Sequence, residues 1–162
     1  MLDQKIFKEI EDYIQLHQHQ EEVLYSLHEA FDADYLTKEV ELEDYIESKR
    51  EPTFQQVLFR YIDKSGLRDP DVYKRAGIDR RHFSKIRSNK GYLPKKNTLI
   101  ALAFALELDR EDADKLLHAA GFSLTNNDTR DLVIQYCLEN KITNILDVNE
   151  ALDYFSLEPL IG

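Results

Sequence analysis

Between Thr53 and Gly121 the sequence carries a dense series of helix start and stop signals, which leave room only for short helices packed through apolar stripes. Thr53 followed by Gln56 predicts a capping box: the hydroxyl accepts from the third helical amide while the glutamine reaches back. Phe54, Val57, Leu58, Tyr61 and Ile62 then form a stripe that runs to Gly66. Asp69 before Pro70 reads as an N-cap with proline at the first helical position, and Gly77 ends that segment. Asp79 is expected to cap the next helix. Residues Thr98 to Leu108 are apolar on nearly every face, with Ala101, Ala103 and Ala105 leaving room for close approach, so this helix is predicted to be the buried hub. Asp109 with Asp112 opens one more helix, which carries Ala113, Leu116, Leu117 and Ala120 and stops at Gly121.

Helical period persists on both sides. Residues 3 to 31 place Ile6, Ile10, Tyr13 and Ile14, then Val23, Leu24, Leu27 and Phe31, at three- and four-residue spacing, and an acidic helix is predicted over Tyr35 to Lys49. The polar run Thr125, Asn126, Asn127, Asp128 marks a boundary. Beyond it one helix is expected to bury Leu132, Val133, Tyr136 and Cys137, and a second, capped by Asn144, to bury Ile145, Val148, Leu152 and Phe155. With 162 residues, 43 % of them hydrophobic, the chain can bury a core without staples. The expectation is an all-α protein in three parts: an acidic helical extension (1–51), a central domain (52–123) and a C-terminal helical pair (124–162).

Several chemistries find no foothold. The single cysteine, Cys137, cannot close an intramolecular disulfide and sits in an apolar stripe, which predicts core packing in a reducing, cytoplasmic setting. The longest apolar stretch, Leu99 to Leu106, is far too short to span a bilayer, so no membrane partner is expected. His17 and His19 stand two apart on a predicted helix and point to different sides, a poor spacing for a metal. No phosphate-cradling loop, zinc pattern or triad signature occurs, so neither an enzyme, a metal site nor a cofactor is expected.

Charge is divided unevenly. The net charge is −10, yet residues 1 to 51 hold 15 acidic and 5 basic side chains, residues 52 to 123 hold 9 and 14, and residues 124 to 162 hold 7 and 2. From Lys74 to Lys96 nine bases face Asp79 alone. Such asymmetry points to a polyanionic partner, with a plain solvated helical face as the alternative. The acidic first segment is a candidate for contacting a protein partner, or for competing with a polyanion at the basic face.

Asp69 to Arg87 reads as helix, tight turn, helix. Val72, Ala76, Ile78, Phe83 and Ile86 supply inward apolar positions, and Gly77 gives the permissive backbone that a steep turn needs. If Phe83 and Ile86 point inward, Arg80, Arg81, Ser84, Lys85 and Ser88 share the outer face.

This stretch, "VYKRAGIDRRHFSKI" followed by "NTLIALAFALELDREDADKLLHAAG", resembles the lambda-repressor/Cro-like helix-turn-helix domains of the XRE type over residues 53–122. The resemblance implies a five-helix core in which Arg80, Arg81, Ser84 and Lys85 contact base edges in the major groove of double-stranded DNA. It also implies that Arg87, Ser88, Asn89, Lys90, Lys95 and Lys96 contact phosphates. Arginine forks suit guanine edges, and phosphate contacts supply affinity while base contacts supply selectivity.

Two positions depart from the pattern. Tyr73 stands where a small residue is common, so its phenol is expected to separate the two helices or to turn outward. Asp69 stands where an amide often grips phosphate, and its charge repels one. His82 and Tyr92 adjoin the basic face, either as phosphate or sugar contacts or as packing anchors.

The expected function is sequence-specific DNA binding by a cytoplasmic transcriptional regulator of bacterial, phage or mobile-element type, paired as a homodimer. The middle and C-terminal parts are also similar, more loosely, to helical tails of bacterial signalling and conflict-associated proteins. That likeness implies the alternative of a non-enzymatic adaptor in a bacterial signalling or defence system.

Overall fold

The computed structural model describes residues 35–160, together with Asp12 and Ile14. The stripe predicted over residues 3 to 31, Ile14 excepted, and the histidines at 17 and 19 lie outside the described residues. All regular secondary structure among the described residues is helical, and no helix there is long and apolar enough to cross a membrane. The chain divides into two compact units, Met1–Arg50 and Glu51–Gly162.

In the first unit, helix α1 spans Tyr35–Lys49, the range that the sequence predicts. It exposes Val40, Leu42, Tyr45 and Ile46. The second unit holds seven helices: α2 (Phe54–Ser65), α3 (Asp69–Arg75), α4 (Arg80–Ser88), α5 (Lys96–Ala105), α6 (Arg110–Ala119), α7 (Thr129–Glu139) and α8 (Ile145–Tyr154). The Thr53 capping box forms: Thr53 Oγ1 accepts from the Gln56 amide at 3.3 Å, and Gln56 Oε1 accepts from the Thr53 amide at 2.9 Å. Asp79 and Asp109 also cap as expected. Asp69 does not. The N-cap of α3 is Arg68, and Pro70 falls one place later than predicted, because the Asp69 carboxylate is drawn to a partner in α4.

Residues Leu99 to Ala105 of α5 are all buried, and this rod packs against α3, α6 and α8. It ends earlier than the sequence suggests. Glu107 adopts φ 52°, its amide donates to Phe104 O and the Leu108 amide to Ala103 O, which together close a Schellman turn. The same pair of hydrogen bonds ends four other helices, at Gly77, Gly121, Lys141 and Ser156. An apolar residue follows each turn: Ile78, Leu108, Phe122, Ile142 and Leu157. Glycine announces two of these stops in the sequence, and the other three are invisible there because the left-handed residue is Glu, Lys or Ser.

The C-terminal pair contributes Ile134, Cys137, Leu138, Val148, Leu152 and Leu160 to the same apolar cluster as α2 to α6. Its faces differ from prediction. Leu132, Tyr136 and Phe155, expected inside, are 44 %, 61 % and 53 % exposed, while Asp131, Ile134 and Gln135 turn inward. The cause is an ion pair. Asp131, only 3 % exposed, receives Lys96 Nζ at 2.9 Å and the Thr125 amide at 2.9 Å on the same oxygen. That contact sets the rotation of α7, and the apolar residues must follow it. Burial pushes the Asp131 carboxyl up, but the Lys96 ammonium with the Thr125 amide and hydroxyl outweighs it and holds the group below its ordinary value.

Lys96→Met is expected to lower unfolding stability by about 3 kcal/mol, since it strands a buried carboxylate. Urea denaturation at pH 7 measures this. A folded-state pKa below the unfolded one means that the pair contributes fully above the ordinary carboxylate value of about 4 and is lost as pH falls through the folded value. The stability gap between the wild type and Asp131→Asn is therefore expected to shrink between pH 5 and pH 3, a window of about two units around that value.

Candidate nucleic-acid interface

Helix α4 begins where Asp79, with extended backbone, accepts the His82 amide on Oδ1 at 2.7 Å. The turn before it needs φ 68° at Gly77, which a side chain would strain. Phe83 and Ile86 are buried, and this fixes the rotation of α4. Arg80, Arg81, Ser84, Lys85 and Ser88 are all exposed, as the inward pair requires. Tyr73, expected to separate the helices or turn outward, does not turn outward: it lies half-buried with its ring 5.6 Å from that of Phe83. A tilted ring pair fills the space between α3 and α4.

Helical rotation of about 100° per residue gives the exposed face two flanks. On one, Arg87 reaches Asp69. Its Nε donates to Oδ2 at 2.6 Å and Nη2 to Oδ1 at 2.8 Å, and the guanidinium lies 4.5 Å from the Phe59 ring centre. The bond to Asp69 raises the Arg87 pKa still further, against a smaller opposing effect of burial. Arg87, an expected phosphate contact, thus commits Nε and Nη2 to a half-exposed intramolecular ion pair, and the Asp69 charge that was expected to repel phosphate is offset by it.

The other flank faces the loop from Asn89 to Lys95. His82 Nε2 and Tyr92 Oη are in hydrogen-bond contact at 2.9 Å, and Lys85 Nζ lies 4.4 Å from the Tyr92 ring centre. Asn89 Oδ1 accepts the Gly91 amide at 3.1 Å, and Asn89 O accepts the Tyr92 amide at 3.0 Å. Ser88 Oγ donates back to Ser84 O at 2.7 Å. Lys90 and Lys95 are exposed. Lys96, another expected phosphate contact, is the first residue of α5, and its ammonium is held by Asp131.

Gln55 carries no signal of its role in the sequence. Buried in the first turn of α2, it donates from Nε2 to Ile86 O at 3.2 Å and also to Asn89 O. One amide therefore holds both the end of α4 and the start of the loop. A glutamine beside a capping box is ordinarily exposed, so nothing in the sequence marks this one.

The structure brings together Arg80, Arg81, Ser84, Lys85 and Ser88 on one helix face, with Asn89, Lys90 and Lys95 on the adjoining loop. Among the described residues, no carboxylate forms an ion pair with Arg80, Arg81, Lys85, Lys90 or Lys95. No protein-family model, curated protein or solved structure matches the chain.

Gln55→Leu is expected to cost about 2 kcal/mol, because it leaves the Ile86 carbonyl without that donor and removes one from Asn89. Amide hydrogen exchange of Asn89 and Tyr92 should speed up at the same time, while exchange in α6 stays slow relative to global unfolding.

Proposed function

We propose that residues 53–122 are a lambda-repressor/Cro-like helix-turn-helix domain that binds double-stranded DNA sequence-specifically, as part of a transcriptional regulator of bacterial, phage or mobile-element type. One observation carries this reading. The second helix of a tight helix-turn-helix buries Phe83 and Ile86 and turns Arg80, Arg81, Ser84 and Lys85 to solvent, unpaired among the described residues, in a chain of net charge −10. A protein with so many carboxylates has ample means to neutralise these cations internally. Among the described residues no carboxylate does so, which favours a polyanion, and a helix bearing arginine forks matches the width and edge chemistry of the major groove. Lys90, Lys95 and the Asn89 amide lie beside that helix and supply backbone contacts. Symmetric pairing on a palindromic site is part of the proposal, since a nine-residue helix reads few base pairs by itself.

The test is selection of a duplex from a random pool, followed by titration at two salt concentrations. Arg80→Ala should weaken the selected site by about 1–3 kcal/mol and relax its base preference, whereas Lys95→Ala should weaken all duplexes alike and lower the salt slope by about one. An adaptor would respond to neither substitution. Failure of the wild type to bind any duplex at low salt overturns the reading.

A further inference from the structure

We propose that Tyr92 is a positioning residue of the basic face, an aromatic shelf that commits Lys85 to the DNA backbone and leaves base reading to Arg80, Arg81 and Ser84. The inference rests on the DNA-binding reading above and corrects the division of labour within it, since Lys85 stands among the residues expected to contact base edges.

Three observations converge on the shelf. First, Lys85 Nζ lies 4.4 Å from the Tyr92 ring centre, within the range in which a ring face attracts an ammonium. Second, the ring is not free to move away. Its hydroxyl is in hydrogen-bond contact with His82 Nε2 at 2.9 Å, the His82 ring meets it edge-on at 5.8 Å and 71°, and its amide donates to Asn89 O at 3.0 Å. Third, His82 and Lys85 are three residues apart in α4, so Lys85 stands on the loop-facing side of the outer face that it shares with Arg81, Ser84 and Ser88. With Nζ against the Tyr92 ring, the Lys85 side chain leans toward the loop that carries Lys90 and Lys95, rather than straight out along the direction that an inserted helix points at the base pairs.

Charge chemistry assigns the role. Ammonium is a compact point charge with rotatable donors, which suits a phosphate oxygen, whereas the planar fork of arginine suits the paired acceptors of a guanine edge. A ring beneath the ammonium reduces the freedom of a long side chain before any phosphate arrives, and so lessens the ordering required on binding. Phosphate contacts set register and carry the salt dependence, so the shelf acts on affinity and its salt slope and leaves base preference alone.

The experiment uses the full-length chain, a duplex selected by the wild type and a scrambled duplex of equal length, each titrated over a series of salt concentrations. Lys85→Ala should weaken binding to both duplexes by the same factor and lower the salt slope by about one, while Arg81→Ala should collapse the ratio between them. Tyr92→Leu, which removes shelf and hydroxyl, should shift affinity in the direction of Lys85→Ala on both duplexes. Tyr92→Phe keeps the ring and should restore most of that loss, a rescue that a hydroxyl-dependent structural role would not give. In the free protein, the Lys85 ε-methylene protons should show an upfield ring-current shift that persists in Tyr92→Phe and vanishes in Tyr92→Leu. A changed duplex ratio with an unchanged salt slope in Lys85→Ala overturns the assignment, as does a Tyr92→Leu protein with wild-type affinity. If the wild type binds no duplex, the parent reading falls and the assignment falls with it. A wild type that binds while Lys85→Ala alters base preference sinks only the assignment.

Discussion

The all-round burial of α5 is the constraint from which the second unit takes its shape. Seven successive residues, Leu99 to Ala105, have no polar side to offer water, so every face of the rod must be covered. The alanines at 101, 103 and 105 let neighbouring helices approach closely, and α3, α6 and α8 do so. Seating α3 fixes the turn at Gly77, and the turn fixes where α4 begins. Phe83 and Ile86 then close over the remaining apolar surface, with Tyr73 filling the gap. The outward direction of Arg81 and Ser84 is thus a consequence of covering α5, several packing steps away. Because α8 packs against the same rod, the C-terminal pair and α3 are tied to a common element rather than arranged as separate bodies.

Cations in this unit fall into two groups with different physics. Lys96, Arg87 and Arg110 bridge elements, each reaching a carboxylate far along the chain: Asp131, Asp69 and Glu139 respectively. The first of these ties is the most consequential, because its carboxylate is the most buried and its loss leaves a charge without water. The others are half exposed and contribute modestly. Arg80, Arg81, Lys85, Lys90 and Lys95 form the second group, concentrated on α4 and the loop that follows. Placing five like charges together opposes folding slightly. Among the described residues the face carries no compensating carboxylate, and a polyanion that docked there would relieve the repulsion as well as form new contacts.

What the sequence disclosed and what it withheld divide along a physical line. Caps are local, so Thr53 with Gln56, Asp79, and Asp109 with Asp112 were legible from spacing within one turn. The hub was legible because an uninterrupted apolar run has no amphipathic alternative. Long-range polar ties were not. Asp69 looks like a cap until Arg87, 18 residues on, claims it; Gln55 finds its acceptors 31 and 34 residues away; Asp131 meets Lys96 across 35. Each overrides a local preference with a partner that no window of sequence contains. The misplaced face of α7 follows from the last of these, since a buried carboxylate there outweighs the apolar claims of Leu132 and Tyr136. Within the candidate site, the direction of α4 was legible from Phe83 and Ile86. The fates of Arg87 and Lys96 were not, because charge alone does not say which cations are already taken.

That sorting gives the face a polarity that composition conceals. One flank of α4 ends in the pair of Asp69 with Arg87, whose guanidinium lies over the Phe59 ring, and the pair contributes no net positive charge. The other flank continues through His82 and Lys85 onto Tyr92 and the loop lysines, where positive charge accumulates without a described counterion. Under the proposed reading, a duplex is therefore drawn toward the loop side of α4, and its backbone is gripped chiefly after the helix rather than before it. The buried amide of Gln55 fits the same logic. By holding Ile86 O and Asn89 O together, it fixes the angle at which the loop leaves the helix, and so the distance between the groups that face the groove and those that face the phosphates. A site that separates reading from gripping needs that distance to be rigid, and here it is set from beneath by a side chain that never reaches the surface.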